Sequence, residues 1–274
     1  MNKFAIALGI AALVSAVPAA PARAADIPMK APVAVPVMAP AFSWSGWYIG
    51  AHAGYDWGRT SFVDRGSPAG AINAYNTVTG DNWTNRNSGF VGGAQFGYNW
   101  QANNIVFGVE ADLGYLNAKG SGPAPAGCTF FNCDSVGSTS SDFYATLRGR
   151  LGVAWNQWLL YATGGGIGIN TKTSLVDSCF TAPCGFATTN AVDQSFRLGW
   201  TVGGGIEVAV GGPWSIKAEY LYYDLGTRQL SAPAFFPPST VPTQPFLWDT
   251  RTTGNIARVG INYRFGPDAV VAKY

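Results

Sequence analysis

Charge is sparse in this chain of 274 residues, at 12% Asp, Glu, Lys and Arg, so where it falls is informative. Glu110 and Asp112 stand two residues apart, as do Arg148 and Arg150, and Lys217 and Glu219. Arg197, Glu207 and Arg258 stand singly inside otherwise apolar, alternating runs. On a strand, positions two apart share a face, so each doublet would present both charges to one side. Such residues could pair into a closed network, relay protons or line an ion path. His52 is the only histidine, and Asp56 lies four residues on with the same strand phase, which makes a His–acid pair conceivable. No G-x-S-x-G or similar nucleophile signal accompanies it, so a packed or hydrogen-bonded histidine is the stronger expectation. The cysteines form two C-x4-C pairs, Cys128/Cys133 and Cys179/Cys184. Two local disulfides suit an oxidising compartment, whereas a zinc site lacks a second ligand type nearby. The runs Gly164–Gly166 and Gly203–Gly205 sit in strand-like segments, not in a strand-to-helix phosphate loop. No cofactor and no metal ligand set is expected.

The element that positions the arginines is the hairpin Phe143–Asn170. Phe143, Ala145, Leu147, Leu151, Val153 and Trp155 fall on one face of its first strand, and Tyr144, Thr146, Arg148, Arg150 and Gly152 on the other. After Asn156-Gln157 a second strand carries Leu159, Tyr161, Thr163, Ile167 and Ile169 on one face and mostly glycine on the other. Arginines opposite an apolar face would be inverted in a soluble sandwich. They fit a transmembrane barrel, whose lipid face is apolar and whose lumen is polar.

Eight such runs occur, near 46–59, 88–100, 105–119, 142–155, 158–171, 195–210, 214–225 and 253–265. Long polar connections (60–87, 120–141, 172–194 and 226–252) alternate with tight turns at 101–104, 156–157 and 211–213. The fold class is therefore all-β: an eight-stranded antiparallel up-and-down transmembrane β-barrel with short periplasmic turns and long extracellular loops. Outward sets include Ile49, Ala51 and Tyr55, then Phe107, Val109 and Leu113, then Leu198, Trp200 and Val202, and later Val259, Ile261 and Tyr263. Trp47, Trp100, Trp155, Trp158 and Trp214 all fall at the short-turn end, which predicts an interfacial girdle. The inward phase collects Asp56 and a network of nine further charges, Glu110, Asp112, Arg148, Arg150, Arg197, Glu207, Lys217, Glu219 and Arg258. It also collects glycines, among them Gly50, Gly54, Gly93, Gly97, Gly108, Gly164, Gly166, Gly168, Gly203 and Gly205. An eight-stranded barrel is only wide enough for its lumen to be filled by side chains, so an ion-pair network that plugs the barrel outweighs an ion path.

Domain limits follow. Met1–Ala24, with Lys3, an apolar core and Ala22-Arg23-Ala24, has the layout of a cleaved signal peptide. Residues 25–45 form a proline-rich periplasmic tail, 46–265 the barrel and 266–274 a C-terminal extension. Loss of Lys3 and Arg23 with the leader leaves 15 basic against 15 acidic residues, which gives no basis for nucleic-acid binding.

The segments WSGWYIGAHAGYDWG, TLRGRLGVAWNQWLLYATGGGIG and IARVGINYRF carry a resemblance over Phe42 to the C-terminus. They resemble the eight-stranded outer membrane protein A/opacity-like barrels, in the branch of major outer-membrane proteins of rhizobia and related alphaproteobacteria. The resemblance implies location in the cell outer membrane and a non-enzymatic role in envelope integrity and surface contact. It also implies haem or small-ligand binding at the extracellular loops in some relatives, and a porin label that a plugged barrel does not support. The implied partners are outer-membrane lipid and lipopolysaccharide, the outer-membrane assembly machinery and an extracellular ligand at the loops. An aromatic end that such machinery reads would be Phe265 or Tyr274.

Overall fold

The structure is a computed structural model that describes residues 42–66, 82–123, 135–178, 188–232, 234–235 and 246–265. Its strands are β1 (Gly46–Gly66), β2 (Asn82–Ala102), β3 (Ile105–Pro123), β4 (Val136–Trp155), β5 (Trp158–Ser178), β6 (Thr188–Gly211), β7 (Trp214–Ala232), β8 (Ala234–Phe235) and β9 (Phe246–Phe265). Each long strand pairs antiparallel with its two neighbours, and the β1–β9 and β5–β6 ladders close eight long strands into a ring. Among the described residues, the two-residue β8 pairs with the far end of β6. Closure leaves no strand edge to meet lipid. The three tight turns are centred on Asn103-Asn104, Asn156-Gln157 and Gly212-Pro213. Asn103 (φ 56°), Asn156 (φ 54°) and Gly212 (φ 52°) take the left-handed conformation these reversals require.

Side-chain alternation follows the ring. Outward residues near the turns are large and apolar, while the polar side chains opposite them are buried. Two expectations change, however. The eight long strands are 19–24 residues long, about twice the span a membrane needs, so much of what read as long loop continues as barrel. Threonine, serine and asparagine on both faces hid this extension, because no apolar alternation marks it. Its inner face is nevertheless packed: Phe62 stacks on Trp83 at 4.9 Å, and Trp83 meets Trp248 edge-on at 5.3 Å. The second change concerns β5. Trp155 pairs with Trp158 across the two-residue turn, which fixes Trp158 and every second residue after it on the outside. Gly164, Gly166 and Gly168 therefore face outward, and Leu159, Tyr161, Ile167 and Ile169 face the lumen. Gly165, opposite Arg148, is the inward glycine.

The lumen is layered. Nearest the tight turns lies an apolar cluster of Trp44, Val106, Ala154, Leu159, Tyr161 and Ala209. Above it come the charged residues, then a second apolar layer that includes Val91, Leu116, Ile167, Leu221 and Ile256, and finally the Phe62–Trp83–Trp248 cap. Trp44 belongs to the core although it precedes β1, so ordered packing begins ahead of the expected 46 boundary. The physical cause is local. Trp44 N–H donates to Gln101 Oε1 at 2.7 Å, and the Arg264 guanidinium covers Phe42 at 4.2 Å.

Candidate functional site

The charged layer is built by one or two residues from each of β3, β4, β6, β7 and β9. Glu110 and Asp112 come from β3, Arg148 and Arg150 from β4, Glu207 from β6, Lys217 and Glu219 from β7, and Arg258 from β9. Arg148 is the hub on the cationic side. It reaches Glu110 at 2.5 Å, Asp112 at 2.8 Å and Glu219 at 3.2 Å. Glu110 is the hub on the other side and also accepts from Lys217 Nζ at 2.9 Å and Tyr48 Oη at 2.8 Å. Arg150 donates to Glu207 at 2.9 Å and lies 3.9 Å over the Tyr161 ring. Arg258 spans Glu219 at 2.5 Å and Asp112 at 3.2 Å. Four carboxylates thus meet four cations, and their side chains are at most 2% accessible. Charges this deep persist only when paired and hydrogen-bonded, which is the arrangement present.

Lys217 makes an instructive choice. Its cross-strand neighbour is Glu207, yet its ammonium crosses the lumen to Glu110. Glu207 is instead saturated by Arg150, by Ser215 at 2.6 Å and by Asn262 at 2.8 Å. Neutral members such as Tyr48, Ser215 and Asn262 escape an inspection limited to charge. Their signal is phase: each is a polar residue at an inward position.

A family model described as "Outer membrane protein beta-barrel domain" matches residues 9–265. The chain belongs to this family. It is 33% identical over 264 residues to the 31 kDa outer-membrane immunogenic protein of Brucella melitensis biotype 1, covering 93% of this chain and 98% of the relative. The 25 kDa outer-membrane immunogenic protein of the same organism is 30% identical, at 90% and 92% coverage. The 22 kDa outer membrane protein of Rhizobium leguminosarum bv. viciae is 29% identical, covering 69% of this chain and 68% of the relative. The protein is thus an outer-membrane β-barrel, located in the cell outer membrane.

The remaining candidates in this outer-membrane barrel separate from the network. Arg197 points inward but stands higher, where it donates to the Gly226 carbonyl at 2.8 Å and the Thr250 carbonyl at 3.2 Å. Its hydrogen-bond partners there are carbonyls and Thr252, with the Arg228–Asp193 pair nearby, so it stands apart from the eight-residue network with which its strand phase groups it. His52 does not pair with Asp56. Its ring meets Gln95 Oε1 at 2.9 Å, the Tyr144 hydroxyl and Arg258 at 3.3 Å. Asp56 is fully buried and faces the Tyr223 hydroxyl instead. Trp47, Trp100, Trp155, Trp158 and Trp214 are all outward and 43–50% exposed at the short-turn end. Cys128, Cys133, Cys179 and Cys184, the loop aromatics Phe130, Phe131, Phe180 and Phe236, and the terminal Tyr274 lie outside the described residues.

Proposed function

We propose that this outer-membrane barrel is a non-enzymatic structural element of the envelope, closed to ions, with a role in surface contact. The observation that carries the proposal is the neutral, dry ring of four acids and four bases across the lumen. A conducting path would leave such groups hydrated, and a proton relay would need a titrating group open to water. The histidine supports the non-enzymatic reading, since its ring nitrogens are taken up by Gln95, Tyr144 and Arg258 rather than by a serine, a cysteine or an acid. The relatives named as outer-membrane immunogenic proteins support presentation at the surface. The tryptophan ring would sit at the periplasmic interface, where indole is favoured, and Phe265 would offer the terminal aromatic that assembly machinery reads. Two measurements test this proposal. Planar-bilayer recordings of the refolded protein should show no unitary steps, and a strain lacking the protein should become sensitive to detergent and bulky antibiotics. Reproducible steps, or unchanged sensitivity, would overturn it.

A further inference from the structure

The outer wall above the apolar belt is electrostatically lopsided. Along β9 the outward charges are paired: Arg251 with Asp224 at 2.5 Å, and Asp249 with Arg65 of β1 at 2.6 Å. From β1 to β5 the opposite holds. Arg59, Arg86, Lys119 and Lys172 are outward and exposed, and none has a hydrogen bond or ion pair among the described residues. Asp142, the exposed acid of β4, is engaged by Asn170 Nδ2 at 2.8 Å.

The register makes this arc more than a scatter of basic residues. Arg59 and Arg86 are direct cross-strand partners, and like charges placed so are destabilising unless an anion bridges them. Ser140 is the partner of Lys119 on one side and of Lys172 on the other. A recess of about 620 Å³ is lined by Arg86, Lys119, Ser138, Ser140, Lys172 and Ser174, and a neighbouring one of about 600 Å³ takes in Arg59 and shares Arg86. At about 4.8 Å per strand, the arc from β1 to β5 spans roughly 19 Å. Its height is equally telling. Trp57 lies two residues below Arg59, and Phe90 and Tyr115 lie four residues below Arg86 and Lys119. With 3.3 Å of rise per residue on tilted strands, the cations stand roughly 5–10 Å above the upper aromatic girdle, where the phosphates of the outer leaflet lie.

We infer that Arg59, Arg86, Lys119 and Lys172 form a docking surface for the phosphorylated head group of lipopolysaccharide, with the serine hydroxyls as secondary donors. Guanidinium and ammonium groups engage phosphate through charge-assisted hydrogen bonds. A di-anionic glycolipid broad enough to span several strands matches the arc, and its acyl chains would continue down the apolar wall beneath. The inference rests on reading the extended strand ends as the outer-leaflet side.

Full-length protein refolded in detergent, checked by heat-dependent gel mobility, is titrated with bisphosphorylated lipid A and with dephosphorylated lipid A, bound species being counted by native mass spectrometry. The phosphorylated form should bind at least tenfold tighter. The variant Arg59→Gln/Arg86→Gln/Lys119→Gln/Lys172→Gln should reduce that preference below twofold, while Arg251→Gln, an outward arginine outside the arc, keeps it. Equal binding of the two lipids by the unaltered protein, or a preference that survives in the quadruple variant, would overturn the inference. Displacement of lipid A by millimolar inorganic phosphate would show a simple anion site and overturn the lipid assignment. Should the quadruple variant not fold, Arg86→Gln/Lys172→Gln is the substitute. Absence of heat-dependent mobility in the unaltered protein would count against the barrel itself, whereas a folded barrel without lipid preference fails here alone.

Discussion

Glu110 shows how much of the lumen's order passes through one carboxylate. It meets Arg148, Lys217 and Tyr48 at 3.0 Å or less, with Arg258 at 3.6 Å and Arg150 at 3.7 Å behind them. Removing one partner from a buried ion pair leaves the others uncompensated, and the cost is of order 3–5 kcal/mol. Glu110→Gln keeps the shape and removes the charge, so it should lower the unfolding free energy of the refolded barrel by an amount in that range, read as a lower denaturant midpoint. An unchanged midpoint would mean that the network is bystander packing. Glycine matters at the same scale. The space a Cβ would need at Gly97 is occupied by the Tyr48 ring and hydroxyl. Gly97→Val would displace Tyr48 from Glu110 and should destabilise the barrel although it adds only apolar volume. Period-two phase placed Glu110, Asp112, Arg148 and Arg150 on the inner face from sequence alone. Partner choice was not legible, because a pairing such as Lys217 with Glu110 crosses the lumen and depends on the barrel's diameter.

At the scale of the element, β5 is where the pattern misled and where a substitution discriminates most sharply. Its two alternating sets are both mostly apolar or glycine, so hydrophobicity cannot tell lipid from lumen; the Trp155–Trp158 pairing decides it. A Cβ on Gly166 would meet nothing within 4 Å, whereas one on Gly165 would run into the Leu147 carbonyl and lie 2.7 Å from Arg148 Cα. Gly166→Leu should therefore fold with normal heat-dependent mobility, and Gly165→Leu should fail to close. The reverse result would restore the opposite phase. The strand extensions were invisible for a related reason. Threonine and serine serve equally well inside a polar lumen and outside above the membrane, so sequences such as Ser138–Ser141 carry no face signal. The peri-terminal Trp44 was hidden because the Pro-rich composition around it reads as linker, while its burial depends on the distant Gln101 and Arg264.

For the whole molecule, the stacked layers mean that closure is redundant. The Trp44 cluster seals the turn end, the ion pairs fill the next level, and the Ile167–Leu221–Ile256 layer and the Phe62–Trp83–Trp248 cap lie above. A single breach should consequently leave the barrel insulating. Trp44→Ala removes a residue that is 1% exposed and should cost about 3–5 kcal/mol of stability, yet it should stay silent in bilayer recordings because the charged level above it remains packed. Combining Trp44→Ala and Arg148→Ala with Leu221→Ala and Trp248→Ala takes a side chain from every level and leaves Glu110, Asp112 and Glu219 short of a cation. Water should then enter along the lumen to hydrate the carboxylates, and the quadruple variant should show small, cation-selective steps. Selectivity is the telling part. Anion-selective steps, or conductance from Trp44→Ala alone, would mean that the acids and bases are not what closes the lumen, and the insulating role would pass to the apolar layers.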